Sequence, residues 1–283
     1  MNPVYSTILK QTGMSELKAL VSKWQTLSET VSARPSHLPI LLPDIFLISQ
    51  SGSGRSHLVK LLADYLSYNE KLMDFYGDTK YFEFLLNYCE PKEYFTEIER
   101  LMIEVRNAAG FRNEYKGIIY IDIDEWVGHC EEKHFTDFLE YLSDNSDNWL
   151  VILSVSSRDD DKLEPMLSLV SAYLRVEPLT IEAPTVDELS AYLFDLLKAY
   201  GFTLEGSAKA CLTKTVRLLC ENTHFDGYKT VKRLAQDVVY SLYSRGITQA
   251  ISIEDTHLNE FSLTSNYVAR MLTKVKTNKK IGF

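Results

Sequence analysis

The 283-residue sequence lacks the hallmarks of several classes of protein. Its 4 cysteines are scattered, without the paired spacing of a disulfide framework or a zinc site. Its longest apolar run, near Ile40–Ile48, contains Pro43 and Asp44 and therefore cannot span a bilayer. The first residues, MNPVYSTILKQTG, show neither the basic start nor the apolar stretch of a signal peptide. We therefore expect a reduced, cytoplasmic protein that does not enter a membrane.

The sequence also has no excess of positive charge. Lysine and arginine number 30 against 39 aspartates and glutamates, so the formal net charge is −9. A chain of this charge has no general attraction for phosphate backbones. Its main basic cluster lies in the polar tail, at Lys274, Lys276, Lys279 and Lys280, and is interpreted as a solvated chain end. The composition therefore argues against nucleic acid as a partner.

Apolar patterns predict alternating helices and strands up to about Pro184. Gly117–Asp122 is apolar without alternation, as expected of a strand buried on both faces of a sheet. Alternating strands and helices indicate a parallel, doubly wound sheet. The predicted strands are Pro39–Ser49, one within Leu72–Phe84, Gly117–Asp122, Trp149–Val155 and Leu179–Ile181. The predicted helices are Met14–Val31, His57–Tyr68, Glu93–Ala109, His134–Ser143 and Leu163–Tyr173.

The pattern changes after Pro184, where only helices are predicted, with no strand among them. They are Val186–Tyr200, which Thr185 and Glu188 begin with a capping box, Ser207–Thr223 and Tyr228–Ser244. The predicted organisation has four parts. They are an N-terminal helix and linker at 1–38, an α/β nucleotide-binding domain at 39–184, a helical lid domain at 185–246, and a C-terminal segment with the basic tail at 247–283.

The strongest chemical signal is the segment SQSGSGRS, which lies between a predicted strand and a predicted helix. In a phosphate-binding loop, glycines let backbone N–H groups face the phosphate oxygens at a helix N-terminus. Here Ser49 replaces the first glycine and Arg55 replaces the lysine, whose compact charge a planar guanidinium does not reproduce. An ordinary turn is the alternative. The candidate nucleotide contacts are Ser49, Gly52, Ser53, Gly54, Arg55, Ser56 and His57, and Ser56 is also a candidate Mg²⁺ ligand.

A second signal is the strand end that runs from Ile118 to Glu125. It resembles a Walker-B strand, in which four apolar residues are followed by an aspartate that binds Mg²⁺ and usually by a glutamate that orients the attacking water. Asp122 falls at the metal position, and Ile123 takes the place of the glutamate. A second register assigns these roles to Asp124 and Glu125 but leaves Asp122 inside the strand, so the first is sterically cleaner. An acidic loop with no metal role is the alternative to both.

In this order, these residues resemble an AAA+ ATPase, and more closely the branch that contains red-type rubisco activase and the type VII secretion ATPases. The resemblance runs from Gly13 to about Asp255, and Thr12–Lys18 is similar to that branch's first helix, beside the adenine. It implies an α/β fold: a P-loop AAA+ doubly wound parallel sheet with a small C-terminal helical lid domain. It also implies ATP or ADP with Mg²⁺ as the ligand, and an oligomeric ring.

The resemblance assigns three further residues. Trp149–Ser156 is similar to the sensor-1 strand, so Ser154, or else Ser156, would lie near the γ-phosphate. Arg175 would be the arginine finger that reaches a neighbouring subunit's nucleotide. Lys229 falls at the sensor-2 position. A structural salt bridge is the alternative for Arg175, and a solvated helix face is the alternative for Lys229.

Several of the positions at which this family works are altered. They are the first loop glycine, the loop lysine, the Walker-B glutamate and both sensors. We therefore predict a degenerate AAA+ subunit that binds ATP or ADP weakly or not at all. It would act through protein contacts, as a homo- or hetero-oligomer with an active AAA+ subunit. The alternatives are an active but slow ATPase that remodels a protein partner, in which Arg55 and Glu125 stand in for the missing groups, and a nucleotide-gated switch or scaffold. The candidate catalytic residues are Asp124, Glu125 and Arg175.

Overall fold

The computed structural model describes residues 2–11, 13–33, 40–50, 52–69, 71–73, 80–86, 88, 100, 103–104, 107, 117–145, 149–156, 159–221, 225–244, 246–248 and 250–251. The basic tail and residue 12 lie outside the described residues. The chain divides into two compact units. The first comprises Met1–Gln50 and Arg55–Glu182, and the second comprises Ser51–Gly54 and Ala183–Phe283.

A five-stranded parallel sheet forms the centre of the first unit. Its strands are β1 (Asp44–Ser49), β2 (Lys80–Leu85), β3 (Gly117–Asp122), β4 (Trp149–Val155) and β5 (Val176–Ile181). They lie in the order β2-β3-β4-β1-β5. Each residue of β4 is buried, because helices cover both faces of the sheet and leave no exposed side for polar residues. The predicted fold class is confirmed.

An apolar core lies on each face of the sheet. Successive side chains of one strand pack into opposite cores, because side chains alternate between the two faces of a strand. Ile45 and Leu47 of β1 pack with α1 (Pro3–Leu9), α2 (Ser15–Ser32) and α3 (Arg55–Ser67). Phe46 packs on the other face with α4 (Lys133–Asn145) and α5 (Asp160–Tyr173). Between β3 and α4, a short 3-10 helix spans Asp124–Trp126.

Several predicted elements of the first unit differ from the structure or fall partly outside it, and the first strand, for example, begins at Asp44 rather than Pro39. Helix α1 was not predicted; it begins with the Asn2 side chain accepting a hydrogen bond from the Val4 N–H, followed by a proline in the first turn. Strand β5 begins at Val176 rather than Leu179, because an edge strand tolerates Pro178, which lacks an N–H. Of the predicted helix Glu93–Ala109, residues 100, 103, 104 and 107 are helical, and the remainder lies outside the described residues.

The second unit packs α6 (Val186–Ala199), α7 (Gly206–Cys220) and α8 (Gly227–Ser244) around their own apolar core. The capping box is confirmed: the Glu188 N–H donates to the Thr185 hydroxyl at 3.2 Å, and the Thr185 N–H donates to the Glu188 carboxylate at 2.8 Å. The prediction of no strand is wrong, since β6 (Thr203–Leu204) and β7 (Ala250–Ile251) form a parallel pair. Two-residue strands are too short to show periodicity. No helix among the described residues is long and apolar enough to cross a bilayer.

Candidate functional site

The glycine-containing loop follows the buried strand β1 and precedes α3, which is the strand–loop–helix context predicted for it. Gly52 and Gly54 have φ angles of +77° and +91°, in the left-handed region that favours glycine. The sheet order places β1 between β4 and β5, so the carboxyl ends of β1, β3 and β4 lie along one edge. Polar residues at the ends of these strands can therefore lie close together at this edge.

Gly52 packs directly against the start of α8, and Ser51–Gly54 belongs to the same unit as that helix. Its carbonyl accepts a hydrogen bond from the Tyr228 N–H at 3.1 Å. A Cβ on Gly52 would lie 2.4 Å from the Asp226 carbonyl carbon, and a Cβ on Gly227 would lie 2.2 Å from the Gly52 oxygen. Both glycines are therefore required by backbone packing as well as by their φ angles.

The Arg55 side chain, for which the sequence predicts the place of a phosphate-binding lysine, contacts carboxylates of its own unit. Its Nη2 lies 3.3 Å from Asp122 Oδ2 and its Nη1 lies 3.7 Å from Asp124 Oδ2. Nη1 also donates to Ser154 Oγ at 3.4 Å. The side chain is only 15% exposed, so solvent screens these contacts incompletely. The planar fork of arginine allows one side chain to reach all three groups.

Further hydrogen bonds join the same residues into one network. The Asp124 N–H donates to Asp122 Oδ1 at 3.1 Å. Ser156 donates to Asp124 through its N–H and, at 2.6 Å, through its hydroxyl. Ser154 Oγ donates to the Tyr120 hydroxyl at 2.9 Å. The structure thus brings together the candidate residues Arg55, Asp122, Asp124 and Ser154, although Arg55 and Asp122 are far apart in the sequence.

Burial shifts the titration of this network. It raises the pKa of Asp122 above its ordinary value, and the nearby carboxylates of Asp124 and Glu83 add to the rise. The Asp124 N–H and the Arg55 guanidinium act in the opposite direction. Burial also raises the pKa of the Tyr120 hydroxyl. The guanidinium therefore helps to keep Asp122 ionised in a site that disfavours its charge.

The hydroxyls of the loop region have other surroundings. Ser56 Oγ donates to Glu83 Oε1 at 2.9 Å, and the Tyr81 hydroxyl donates to Glu83 Oε2 at 2.9 Å. The sequence analysis did not identify Glu83. In the sequence it is only a charged residue within the aromatic strand β2, and its pairing with Tyr120 is set by the folded sheet. The Ser49 and Ser53 hydroxyl oxygens are buried and have no hydrogen-bond partner among the described residues.

These residues, as arranged, do not fit a divalent metal ion. Asp122 is paired with Arg55, and the hydroxyl of Ser56 is paired with Glu83. A Mg²⁺ site in proteins needs free oxygen ligands in octahedral geometry. Within the described part of the chain, no group of three His, Cys, Asp or Glu side chains could hold a metal ion.

Two candidate residues next to the network face elsewhere. Glu125 is exposed, and its Oε2 accepts a hydrogen bond from the Tyr88 N–H at 2.8 Å. His57 is exposed in the first turn of α3. Ile123, which stands where a catalytic glutamate would follow Asp122, is fully buried in the core against α4 and α5.

Arg175 lies at the opposite edge of the sheet, where β1 and β5 begin. It is exposed, its guanidinium donates to the Leu41 carbonyl, and its own carbonyl accepts from the Asp44 N–H at 2.8 Å. Burial raises the pKa of Asp44 to about 6, while a hydrogen bond from the Val151 N–H and the charge of Arg175 oppose this rise. Arg175 is therefore not part of the Arg55 network of its own chain.

Lys229 lies in the second unit, in the first turn of α8. Its Nζ is 3.4 Å from Asp226 Oδ2, and its side chain is 67% exposed. An ion pair this exposed contributes about 0–1 kcal/mol to stability. The local contacts of Lys229 are thus those of a solvated helix start.

Solved structures are similar to most of the chain, among them two from Thermotoga maritima, whereas no protein-family model and no curated protein matches it. Domain III of the replication initiation protein DnaA from Thermotoga maritima is 15% identical, with a TM-score of 0.50 over 95% of this chain and 98% of that one. A mutant of RuvB from Thermotoga maritima is 12% identical, with a TM-score of 0.55 over 88% of this chain and 70% of that one. Both have the AAA+ fold, and at these identities the similarity shows the fold alone.

Proposed function

We propose that this chain is a degenerate AAA+ protein that binds ATP or ADP weakly or not at all and acts through protein–protein contacts. Its setting would be a mixed ring beside an active AAA+ subunit. The observation that carries this proposal is the position of Arg55. The cation that should meet nucleotide phosphates is instead bound to Asp122 and Asp124 of its own unit.

Weak nucleotide binding follows from what a phosphate would have to displace. To reach a phosphate, Arg55 must leave two carboxylates, and Asp122 would then carry its charge in a partly buried site without its counter-cation. Removing one partner of a fully buried ion pair costs up to about 5 kcal/mol, and the cost for this partly exposed pair is smaller. The binding free energy of the nucleotide is reduced by that cost.

Slow hydrolysis follows from the carboxylates near the end of β3. Ile123 supplies no carboxylate, and the Glu125 carboxylate is directed to the Tyr88 backbone. Asp124 accepts both hydrogen bonds of Ser156 and lies near Arg55. No carboxylate among these three positions is therefore free to orient an attacking water.

The ring is supported by the exposure of Arg175. An arginine finger acts on the phosphate of a neighbouring subunit, so it must lie at the surface and away from the phosphate loop of its own chain. Arg175 meets both conditions. A chain whose own site is inactive could still serve an active neighbour in this way.

The proposal is tested by titrating the purified chain with ATP and with ADP, each with and without Mg²⁺, and by measuring turnover. We expect an ATPase rate far below the typical enzyme range of about 1–1,000 s⁻¹. A rate inside that range that is lost in Asp122→Asn would contradict the degenerate site and support the slow remodelling ATPase. Lys23→Ala, which removes a surface cation outside the site, is the control.

A nucleotide-gated switch is the second candidate, and the loop itself supports it. The two left-handed glycines flank Ser53, whose buried hydroxyl has no partner among the described residues. Buried polar groups usually have partners, so a bound anion would complete this loop. Micromolar nucleotide affinity without turnover would favour the switch over the non-binding subunit.

A further inference from the structure

We propose that Arg55 is the resident cation of this site and excludes a divalent metal ion from it. The inference rests on the proposed function, because it takes the loop to be an altered phosphate loop. It goes beyond that function because it assigns the Arg55 guanidinium the place of the divalent metal ion. Asp122, which was expected to hold Mg²⁺, is bound to Arg55, which was expected to hold phosphate.

The charge balance supports this assignment. Asp122 and Asp124 are the two carboxylates at the carboxyl end of β3, and the Arg55 guanidinium lies within ion-pair distance of both, at 3.3 Å and 3.7 Å. The exposed fractions of the three side chains are 15% for Arg55, 19% for Asp122 and 28% for Asp124. A divalent cation placed between the carboxylates would be repelled by the guanidinium at short range, where solvent screens poorly.

The hydrogen bonds around the carboxylates also suit a guanidinium. Asp122 Oδ1 accepts the Asp124 N–H, and Asp124 accepts from the amide and the hydroxyl of Ser156. These bonds hold both carboxylates within reach of Arg55. Ser56, the other expected ligand, donates to Glu83 on β2 instead.

If Arg55 excludes the metal, its removal should let the carboxylates bind one. Asp122 and Asp124 would then lie in a partly buried region without the guanidinium, and a divalent ion can be held by one or two carboxylates together with water. Carboxylates in this situation either take up protons or bind a cation. At neutral pH and millimolar metal, we expect the cation to bind.

The test uses Mn²⁺ alone as the probe, with free Mn²⁺ measured by electron paramagnetic resonance on the full chain at neutral pH. We expect Arg55→Ala to bind one Mn²⁺ at least about tenfold more tightly than the wild type. The double variant Arg55→Ala/Asp122→Asn should lose this gain. Lys23→Ala removes a cation from a surface ion pair with Glu177 and should bind no more Mn²⁺ than the wild type. Arg55→Met, which keeps the aliphatic stem, replaces Arg55→Ala if circular dichroism shows unfolding.

Two outcomes would overturn the inference. The first is wild-type chain that binds Mn²⁺ as tightly as Arg55→Ala and loses it in Asp122→Asn. The second is folded Arg55→Ala or Arg55→Met that gains no Mn²⁺. Neither outcome depends on ATP turnover, so failure of this inference is distinguishable from failure of the proposed function.

Discussion

Asp44, through one partly buried carboxyl, makes the stability of the folded chain depend on pH. It begins β1, accepts a hydrogen bond from the Val151 N–H at 2.8 Å, and lies near the guanidinium of Arg175. Burial nevertheless raises its pKa from 3.8 to about 6. The folded chain therefore keeps a proton that the unfolded chain releases near pH 4. Because the folded state binds more protons in this window, its stability falls as the pH rises from about 4 to about 6.

We predict that Asp44→Asn removes this pH dependence. Asparagine keeps an oxygen that can accept from Val151 but carries no charge to desolvate. Relative to the wild type, its free energy of unfolding should rise between pH 4 and pH 7, as measured by urea denaturation. Glu164→Gln, at an exposed position of α5, is the control. Parallel stability curves for Asp44→Asn and the wild type would show that burial does not govern this carboxyl.

Backbone atoms, rather than a side chain, form the contact between Gly52 and the start of α8. The Gly52 carbonyl accepts from the first turn of the helix, where N–H groups have no partner within the helix. Gly227, at the start of α8, has a φ of +46°, and its Cα–H face meets the Gly52 carbonyl. Loss of nucleotide binding in a Gly52 variant would therefore not by itself show contact with phosphate.

We predict that Gly52→Ala and Gly227→Ala each lower the melting temperature more than Gly246→Ala. Gly246 has a φ of +75°, close to the +77° of Gly52, but nothing lies within 4 Å of a Cβ added there. All three variants bear backbone strain of about 1–2 kcal/mol. The first two also force backbone atoms apart, which adds a loss of at least about 1 kcal/mol. Equal melting temperatures for Gly52→Ala and Gly246→Ala would remove the packing argument.

At the scale of the whole molecule, the Arg55 network and Arg175 lie at opposite ends of the strands. The Arg55 network lies at the carboxyl ends, and Arg175 lies where β1 and β5 begin. Under the proposed function, the first would be an inactive nucleotide site and the second would serve a neighbouring subunit. The hydrogen bond from Arg175 to the Leu41 carbonyl is also the kind of contact that a purely structural arginine makes.

We predict that the chain raises the ATPase rate of an intact AAA+ partner co-purified from the native host, and that Arg175→Ala abolishes this stimulation. The stability loss should be small, within about 1 kcal/mol, since the lost hydrogen bond is exposed. Lys23→Ala should stimulate like the wild type. A large fall in melting temperature with full stimulation by the folded fraction would assign Arg175 a structural role. Purification as a lone monomer would contradict the ring.

The sequence determined the sheet and the place of the loop. Apolar runs such as Gly117–Asp122 and Trp149–Val155 coincide with β3 and β4, because a strand buried on both faces must be apolar throughout. The spacing of glycines after β1 located the turn into α3, since few other residues adopt those φ angles. The two-residue strands β6 and β7 escaped prediction because so few residues carry no periodicity.

Only the tertiary structure decided what the altered residues do. The sequence showed arginine in place of lysine at position 55, but its partners Asp122, Asp124 and Ser154 come from later parts of the chain. Glu83 reaches Ser56 through the pairing of β2 with β3, which no local pattern encodes. Local sequence sets backbone conformation, whereas the contacts of a charged side chain depend on which strands become neighbours.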